Sequence, residues 1–332
     1  MSAQIEAEQL AALAGKSALA RLPTYLRLSG PGWLQGAMTL GGGSAITSLT
    51  LGAQYGYDLL WVQPIAMIIG CVMLFALSHQ TLSTGVKPYR AMKQHISGTL
   101  AFLWAFAAIA SSVIWGFSHY PLSAGMIEEV VAVASGVELS NSSGLGRELW
   151  LFGFAILVWC VCAYTAWNYG RGGRPVKVFE TAIKWLSTGI ILAFLWVVVY
   201  ASLQGKVDWL AVLKGFVPGR LPTDLAGVTT VMAALGTAVG INMTFIYGYT
   251  LLERGWGREH RELARYDIVM GLVIPYILVT TLIAIAAAGA LHGSGMDIQG
   301  KLSPAQAASM FTEAGISPVT GRLIFAIGIL GM

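Results

Sequence analysis

Charge is the scarcest property of this sequence. Only 11% of its 332 residues are Asp, Glu, Lys or Arg, whereas soluble domains carry about 25%. Hydrophobic residues make up 56% of the chain, and the mean hydropathy is +0.68. This composition excludes a soluble globular protein and predicts an integral membrane protein. The apolar runs have the length of membrane-spanning helices and do not alternate along ten-residue strands, so we expect an all-α protein rather than a β-barrel.

Cysteine is almost as scarce, and the common catalytic motifs are missing. The three cysteines, Cys71, Cys160 and Cys162, all fall inside apolar runs and are predicted to be packing residues. Cys160 and Cys162 are two residues apart and point to different sides of a helix, so they cannot hold one metal together. The sequence contains no nucleotide-binding loop, zinc motif or nucleophile constellation, and GRGGRP at 170–175 is interpreted as a basic turn. We therefore expect that the protein is not an enzyme, needs no cofactor and binds no nucleic acid.

The N-terminus lacks the basic region and apolar core of a signal peptide, so residues 1–29 are predicted to be a cytosolic tail. Basic residues are distributed unevenly among the predicted loops, thirteen on the side of the tail and five on the other. The positive-inside rule therefore predicts a cytoplasmic N-terminus, in a multi-pass protein of a bacterial inner membrane. The tail side holds Lys16, Arg21, Arg27, Lys87, Arg90, Lys93, Arg171, Arg174, Lys177, Arg254, Arg258, Arg261 and Arg265, and the other side holds Arg147, Lys206, Lys214, Arg220 and Lys301.

Eight apolar segments are long enough to cross a bilayer. They lie near 31–51, 58–80, 99–118, 150–168, 178–202, 226–251, 267–291 and from 320 to the end. The last segment stops at Met332 without a flanking charge or an aromatic anchor, so we expect the chain to be a fragment of a longer protein.

Two of these segments contain glycines near their middle. Gly41, Gly42 and Gly43 interrupt the first, and Gly236 and Gly240 interrupt the sixth. Such interruptions in corresponding positions indicate the binding site of an inverted-repeat secondary transporter. The predicted substrate site consists of Gly41, Gly42, Gly43, Ser44, Thr47, Thr237, Gly240 and Asn242, of which Ser44 and Asn242 are the candidate metal ligands.

Both sets of residues also have a purely structural interpretation. Glycines allow membrane helices to pack closely, and Ser or Thr hydroxyls commonly bond to backbone carbonyls of the preceding turn. Three consecutive glycines, with a second interruption in the other half, favour the broken-helix interpretation. Asn242 is favoured as a site residue because an amide at a helix break needs partners that lipid cannot supply.

The stretch 30–62 begins GPGWL and ends GAQYGYDLLWV. These motifs resemble the first helix and the following loop of the NRAMP family. That family comprises proton-coupled divalent metal transporters built on the LeuT-like inverted repeat. The resemblance implies a transmembrane domain over 30–332, with a first repeat over 30–202 and a partial second repeat over 226–332. The similarity is looser around 235–252 and extends over the rest of the chain in its helix pattern.

The metal-binding motifs of that family are replaced here. Where NRAMP proteins carry D-P-G-N in the first helix, this sequence has Gly41 to Gly43 and Ser44. Where they carry M-P-H in the sixth helix, it has Gly240, Ile241 and Asn242. The resemblance therefore places the site here but implies that the ligating Asp, Met and His are absent.

The titratable positions linked to proton movement differ as well. A family histidine further along the sixth helix falls on Tyr247, and an acidic position on the third helix falls near His119. His119 is thus the candidate proton relay, the alternative being an interfacial histidine at a helix end. With so few titratable groups, we expect uncoupled or weakly coupled transport.

The remaining donors at the two interruptions are neutral oxygens, which suit hard cations better than soft ones. We therefore expect secondary transport of a metal cation that keeps most of its water, such as Mg²⁺ rather than Mn²⁺ or Fe²⁺. Two alternatives stay open, a LeuT-like carrier of a small organic solute and a non-transporting sensor. The predicted partners are the metal substrate and the lipid bilayer; the sequence leaves the oligomeric state open.

Overall fold

The structure is a computed structural model that describes residues 3–13, 15–136, 145–169, 174–219, 221–294, 302 and 304–332. Part of the predicted basic turn and of the basic-residue pattern lies outside the described residues, namely residues 170–173, Arg220 and Lys301.

The described residues form helices and connecting turns without a strand. The helices are α1 (Ala3–Ala11), α2 (Ala18–Leu28), α3 (Pro31–Thr39), α4 (Gly42–Tyr55), α5 (Val62–Thr84), α6 (Pro88–His95), α7 (Gly98–Ser135), α8 (Leu145–Tyr169), α9 (Arg174–Leu203), α10 (Trp209–Gly215), α11 (Leu225–Ala238), α12 (Ile241–Glu253), α13 (Arg261–Ile268), α14 (Ile274–Leu291), α15 (Pro304–Glu313) and α16 (Pro318–Gly331). A 3₁₀ turn (Arg258–His260) precedes α13, and a π-helical turn (Val269–Val273) joins α13 to α14.

Within the described residues, six helical stretches are long and apolar enough to span a membrane, which confirms a multi-pass membrane protein. They are Val62–Thr84, Gly98–Ser135, Leu145–Trp167, Trp185–Leu203, Leu225–Glu253 and Arg258–Leu291, and Pro318–Gly331 is a shorter apolar helix. The predicted first span is divided between α3 and α4. The third is much longer than predicted, because α7 continues through Pro121 to Ser135. His119 therefore lies in the middle of a helix, and its interpretation as a helix-end residue is wrong.

Two compact units divide the chain. The first consists of Met1–Leu40, Val62–Ile114 and Ala234–Leu278, and the second of Gly41–Trp61, Trp115–Ala233 and Val279–Met332.

In the first unit, α3 packs closely against the segment from α13 to the π-helical turn. A Cβ atom at Gly36 would lie 2.1 Å from the Gly271 carbonyl oxygen, so only glycine allows this approach. At the N-terminus of α3, Pro31 occupies a first-turn position and the buried Asp267 carboxylate accepts hydrogen bonds from Gly30 N (3.0 Å) and Gly32 N (2.5 Å). These contacts fix α3, which ends at the first interruption.

The predicted cytosolic tail is helical and packs into the same unit. Glu6 is only 5% exposed and accepts a hydrogen bond from Trp256 Nε1 at 3.1 Å. Arg254 lies 3.8 Å from the Glu6 carboxylate and donates to the Leu28 carbonyl at 2.7 Å. The tail is therefore attached to the connection between α12 and α13.

In the second unit, glycines bring helices into close contact. A Cβ atom at Gly52 would lie 2.1 Å from the Ala284 carbonyl oxygen, so α4 packs on α14, and one at Gly328 would lie 2.5 Å from Ile190 Cβ, so α16 packs on α9. In the α8 span, no residue of the most apolar 18-residue stretch is buried. Cys71 is buried in the first unit, as predicted for a packing residue, but Cys160 and Cys162 are exposed on α8, so the packing prediction is wrong for these two.

Candidate functional site

The first interruption lies at Leu40 and Gly41. Helix α3 ends at Thr39, Leu40 has φ −80° and ψ 47°, and Gly41 is extended with φ −92° and ψ 175°. The predicted break is confirmed, but it is narrower than predicted because Gly42 and Gly43 already belong to the first turn of α4. A positive φ is found at none of the three glycines. A helix end leaves backbone groups without intrahelical partners, so this point offers peptide groups for a ligand.

The hydroxyls after this break bond to their own helix. Ser44 Oγ donates to the Gly41 carbonyl at 2.9 Å, and Thr47 Oγ1 donates to the Gly43 carbonyl at 2.8 Å. This is the structural role considered from the sequence. A hydroxyl that donates its proton still has acceptor lone pairs, so the arrangement leaves both oxygens able to accept a hydrogen bond or face a cation.

His119 faces the same glycines within the second unit. A Cβ atom at Gly41 would lie 4.0 Å from His119 Nε2, and one at Gly43 would lie 3.7 Å from it. Nδ1 lies 2.8 Å from the Trp115 carbonyl oxygen. Because a carbonyl only accepts, Nδ1 carries the proton, and in the neutral ring Nε2 is then an acceptor. The structure thus brings His119 together with Gly41 and Gly43, and adds a nitrogen acceptor to the break.

The second interruption lies at Val239 and Gly240. Helix α11 ends at Ala238, Gly240 is extended with φ −78° and ψ 157°, and α12 begins at Ile241. The predicted break is confirmed at Gly240, but the prediction is wrong for Gly236, which lies inside α11. Thr237 Oγ1 donates to the Ala234 carbonyl at 3.0 Å, and Asn242 Oδ1 accepts from Met243 N at 3.0 Å.

A thioether lies at this second break, and the sequence comparison with the family motif missed it. Met243 Sδ lies 3.4 Å from Gly240 N and 3.2 Å from Thr39 Oγ1. The same hydroxyl lies 3.3 Å from the Ala238 carbonyl oxygen. The expectation that only oxygen donors remain is therefore wrong. The available signal was the methionine that directly follows Asn242, three positions beyond the motif position considered.

Helices α3 and α12 run antiparallel. The end of α3 meets the start of α12 through Thr39 and Met243, whereas the chain before α3 meets the end of α12 through the bond from Arg254 to Leu28. Gln35 lies one turn before Thr39 on α3, and Tyr247 lies one turn after Met243 on α12. Both side chains are fully buried. The amide of Gln35 and the hydroxyl of Tyr247 have no hydrogen-bond partner among the described residues. Buried polar groups rarely lack a hydrogen-bond partner, so Gln35 and Tyr247 are candidate residues of the predicted transport pathway.

Several carboxylates of the membrane-spanning helices are engaged elsewhere. Asp267 binds the start of α3, Glu128 pairs with Arg147 at 2.9 Å, and Glu129 pairs with Arg322 at 2.7 Å. In the part of the chain that the structure describes, no three His, Cys, Asp or Glu residues are grouped as a metal site would require.

A family model described as natural resistance-associated macrophage protein-like (Nramp) matches residues 32–332. "Divalent metal cation transporter MntH" of Brucella suis is 26% identical over 281 residues, which cover 81% of this chain and 56% of that protein. The protein of the same name from Listeria innocua is 24% identical over 314 residues, covering 91% and 63%. "Metal transporter Nramp1" of Populus trichocarpa is 25% identical over 266 residues, covering 78% and 44%.

A solved structure shows the same fold. A variant of the manganese transporter of Eremococcus coleocola superposes with a TM-score of 0.58 at 17% identity, covering 95% of this chain and 63% of that one. The all-α, LeuT-like fold class expected from the sequence is confirmed. The chain spans less than two thirds of the length of these relatives. Since the family model matches nearly the whole sequence, the chain belongs to the Nramp family.

Proposed function

We propose that this protein moves a divalent metal cation across the membrane and binds it with most of its water shell in place, as Mg²⁺ is bound. The observation that carries this proposal is the first break. It combines the lone pairs of Ser44 and Thr47 and the Nε2 acceptor of His119 with the backbone of Gly41 and Gly43. Each of these groups can accept a hydrogen bond from a metal-bound water.

The charges explain why the water shell is retained. A divalent ion stripped of water needs anionic ligands, because neutral oxygens do not offset the cost of its desolvation. The carboxylates of Asp267, Glu128 and Glu129 are already paired. Mg²⁺ loses its water reluctantly and is commonly held through it. The C-terminal end of α3, where the helix dipole is negative, supports a cation in addition.

A transition metal is the second candidate, and one side chain at each break favours it independently. The imidazole of His119 at the first break is a borderline donor, and the thioether of Met243 at the second break is a soft one; each suits Mn²⁺, Fe²⁺ or Cd²⁺ better than Mg²⁺. Relatives in the family are named as divalent metal cation transporters. The organic-solute carrier and the sensor are kept as outcomes of the same experiment.

Uptake by the purified protein in liposomes tests the proposal. Mg²⁺, Mn²⁺, Cd²⁺ and an amino-acid mixture are each offered, alone and with cobalt(III) hexaammine, whose tightly held ligands imitate a fully hydrated ion. We expect Mg²⁺ uptake that the hexaammine complex inhibits. Uptake of Mn²⁺ that is insensitive to this complex supports the second candidate, amino-acid uptake supports a solute carrier, and flux equal to that of empty liposomes supports a sensor.

We also propose weak proton coupling and a cytoplasmic N-terminus in a bacterial inner membrane. His119 is the titratable side chain that faces the first break, in place of a carboxylate. An inward proton gradient is therefore expected to raise uptake by less than about twofold. In a variant with Cys160→Ser and Cys162→Ser, labelling of an added Lys16→Cys only after the cell membrane is permeabilised supports the orientation, and labelling in intact cells contradicts it.

A further inference from the structure

Helix α6 and the ends of two spans form an apolar groove in the first unit. The groove has a volume of about 260 Å³, near the lower end of the roughly 300–1,000 Å³ range of small-ligand pockets. It is lined by Leu77 and Thr84 at the end of α5, by Ala91, Met92 and Ile96 in and after α6, and by Trp104 near the start of α7. We call it the α6 groove.

The two sides of α6 differ in chemistry. Ala91, Met92 and Ile96 line the groove, whereas Arg90 and Lys93 occupy the opposite side of the helix and are exposed. An amphipathic helix with basic residues on its polar side is typical of segments that lie in the membrane interface. Since α6 directly follows the α5 span, it is placed at such an interface.

This region is cationic and has no carboxylate of its own. The sequence contains no Asp or Glu between Asp58 and Glu128, a stretch that includes α5, α6 and most of α7. Among the described residues, no ion pair joins Arg90 or Lys93 to a carboxylate, whereas Arg254, Arg147 and Arg322 each have one. The cations beside the groove are therefore available to an anion.

A third cation, Lys87, has a defined position at the start of α6. It is the N-cap residue of the helix, and its ammonium lies 5.5 Å from the ring centroid of Tyr249 on α12. Gln80 also lines the groove, and its side-chain amide donates a hydrogen bond to Thr84 Oγ1 at 3.1 Å. This amide therefore already has a hydrogen-bond partner. The apolar interior thus offers packing for a hydrocarbon chain and leaves anion recognition to the basic residues.

We propose that the α6 groove binds an anionic phospholipid that passes the edge of α6, with one acyl chain in the groove and the phosphate headgroup on the basic side of the helix, at Lys87, Arg90 and Lys93. The occupant must be apolar along one part and negatively charged at one end, which matches a phospholipid and excludes a soluble anion. Basic clusters beside the end of a span are known to attract anionic lipids at about 1 kcal/mol for each Lys or Arg.

Native mass spectrometry of the detergent-solubilised protein tests the site. Phosphatidylglycerol and phosphatidylcholine with identical acyl chains are titrated separately, and glycerol 3-phosphate serves as a headgroup without chains. We expect the wild-type protein to retain phosphatidylglycerol at about tenfold lower concentration than phosphatidylcholine. Equal retention of the two lipids, or displacement of phosphatidylglycerol by equimolar glycerol 3-phosphate, overturns the proposal.

Variants separate the headgroup from the chain. In Arg90→Gln/Lys93→Gln the phosphatidylglycerol preference is expected to disappear, whereas Lys16→Gln/Lys214→Gln, which removes two exposed charges outside the groove, keeps it. Ala91→Trp fills the groove and is expected to weaken binding of both lipids. A preference that survives the first pair, or is lost equally in the control pair, overturns the proposal. Both charge pairs lie on the surface, so the result does not depend on whether Ala91→Trp folds.

Discussion

The two helix breaks share a backbone design but differ in the side chains beside them. At the first, His119 Nε2 and two hydroxyls lie beside bare glycine backbone. At the second, a thioether from Met243 lies against the extended Gly240. The first break therefore presents hydrogen-bond acceptors, and the second presents a soft donor. A broken helix fixes where peptide groups become available, whereas the neighbours packed on each break decide which side-chain donors lie beside them.

The largest effect is expected at the first break. His119→Ala removes the Nε2 acceptor, and because a hydrogen bond to a charged group is worth about 1.5–3 kcal/mol, uptake of Mg²⁺ should fall at least tenfold. His79→Ala, an exposed histidine on α5, is the matched control and should leave uptake unchanged. Uptake and melting temperature are measured on one preparation. Normal flux in His119→Ala contradicts a role of the first break in binding the ion.

The second break should affect selectivity rather than flux. Met243→Leu preserves volume but removes the thioether, so inhibition by Cd²⁺ should weaken about fivefold while Mg²⁺ uptake changes less than twofold. Met310→Leu replaces another fully buried methionine, on α15, and controls for packing. If Mg²⁺ uptake and Cd²⁺ inhibition fall together in Met243→Leu but not in the control, the sulfur binds the transported ion itself, and the second candidate function is favoured.

The sequence located both breaks, because glycine at the middle of an apolar run is a local signal. It did not predict the neighbours, because these depend on contacts between distant positions. A helix end is one of two interpretations of His119 from the sequence, and Pro121 two residues later normally disfavours a helix interior, yet α7 continues through it. Met243 was missed because the motif was compared position by position, whereas its sulfur reaches back one turn to Gly240.

The attachment of α3 was equally invisible in the sequence. Asp267 is 235 residues from Gly32, and only the folded chain brings its carboxylate to the first turn of α3. Hydrophobic periodicity identifies a helix and its length, but it contains no information about which distant carboxylate caps it. The fold class and the approximate positions of the spans followed from composition and apolar runs, while the length of α7, the caps and the site neighbours required tertiary structure.

Thr39 reaches the second break only if α3 is held in place. Asp267→Asn tests this, because the amide keeps one acceptor oxygen but loses the negative charge that faces two backbone N–H groups. We expect a loss of about 1 kcal/mol, seen as a fall of roughly 2–4 °C in melting temperature. Asp208→Asn changes the cap of α10 and should have a smaller effect because that cap is exposed. An unchanged melting temperature in Asp267→Asn would mean that glycine packing alone holds α3.

The smallest effect is expected within the glycine triplet, and it separates unwinding from packing. Gly41 is the extended residue, and a Cβ atom there would meet its nearest neighbour at 3.6 Å, an ordinary contact. Gly41→Ala should therefore fold normally, while its helix preference of up to about 1 kcal/mol favours closing the break and lowers uptake two- to threefold. Gly43 is already helical, and its Cβ atom would lie 3.1 Å from the Trp115 ring.

Gly43→Ala should consequently lower the melting temperature by a few degrees, because the ring of Trp115 must move, without changing the flux per folded molecule. The pair is compared on the same preparations, with liposome uptake normalised to folded protein. A Gly41→Ala variant that is silent in uptake, beside a Gly43→Ala variant that loses both stability and uptake, would show that the glycines serve helix packing alone. In that case the extended backbone at Gly41 has no role in binding the ion, and the acceptors of His119, Ser44 and Thr47 must suffice.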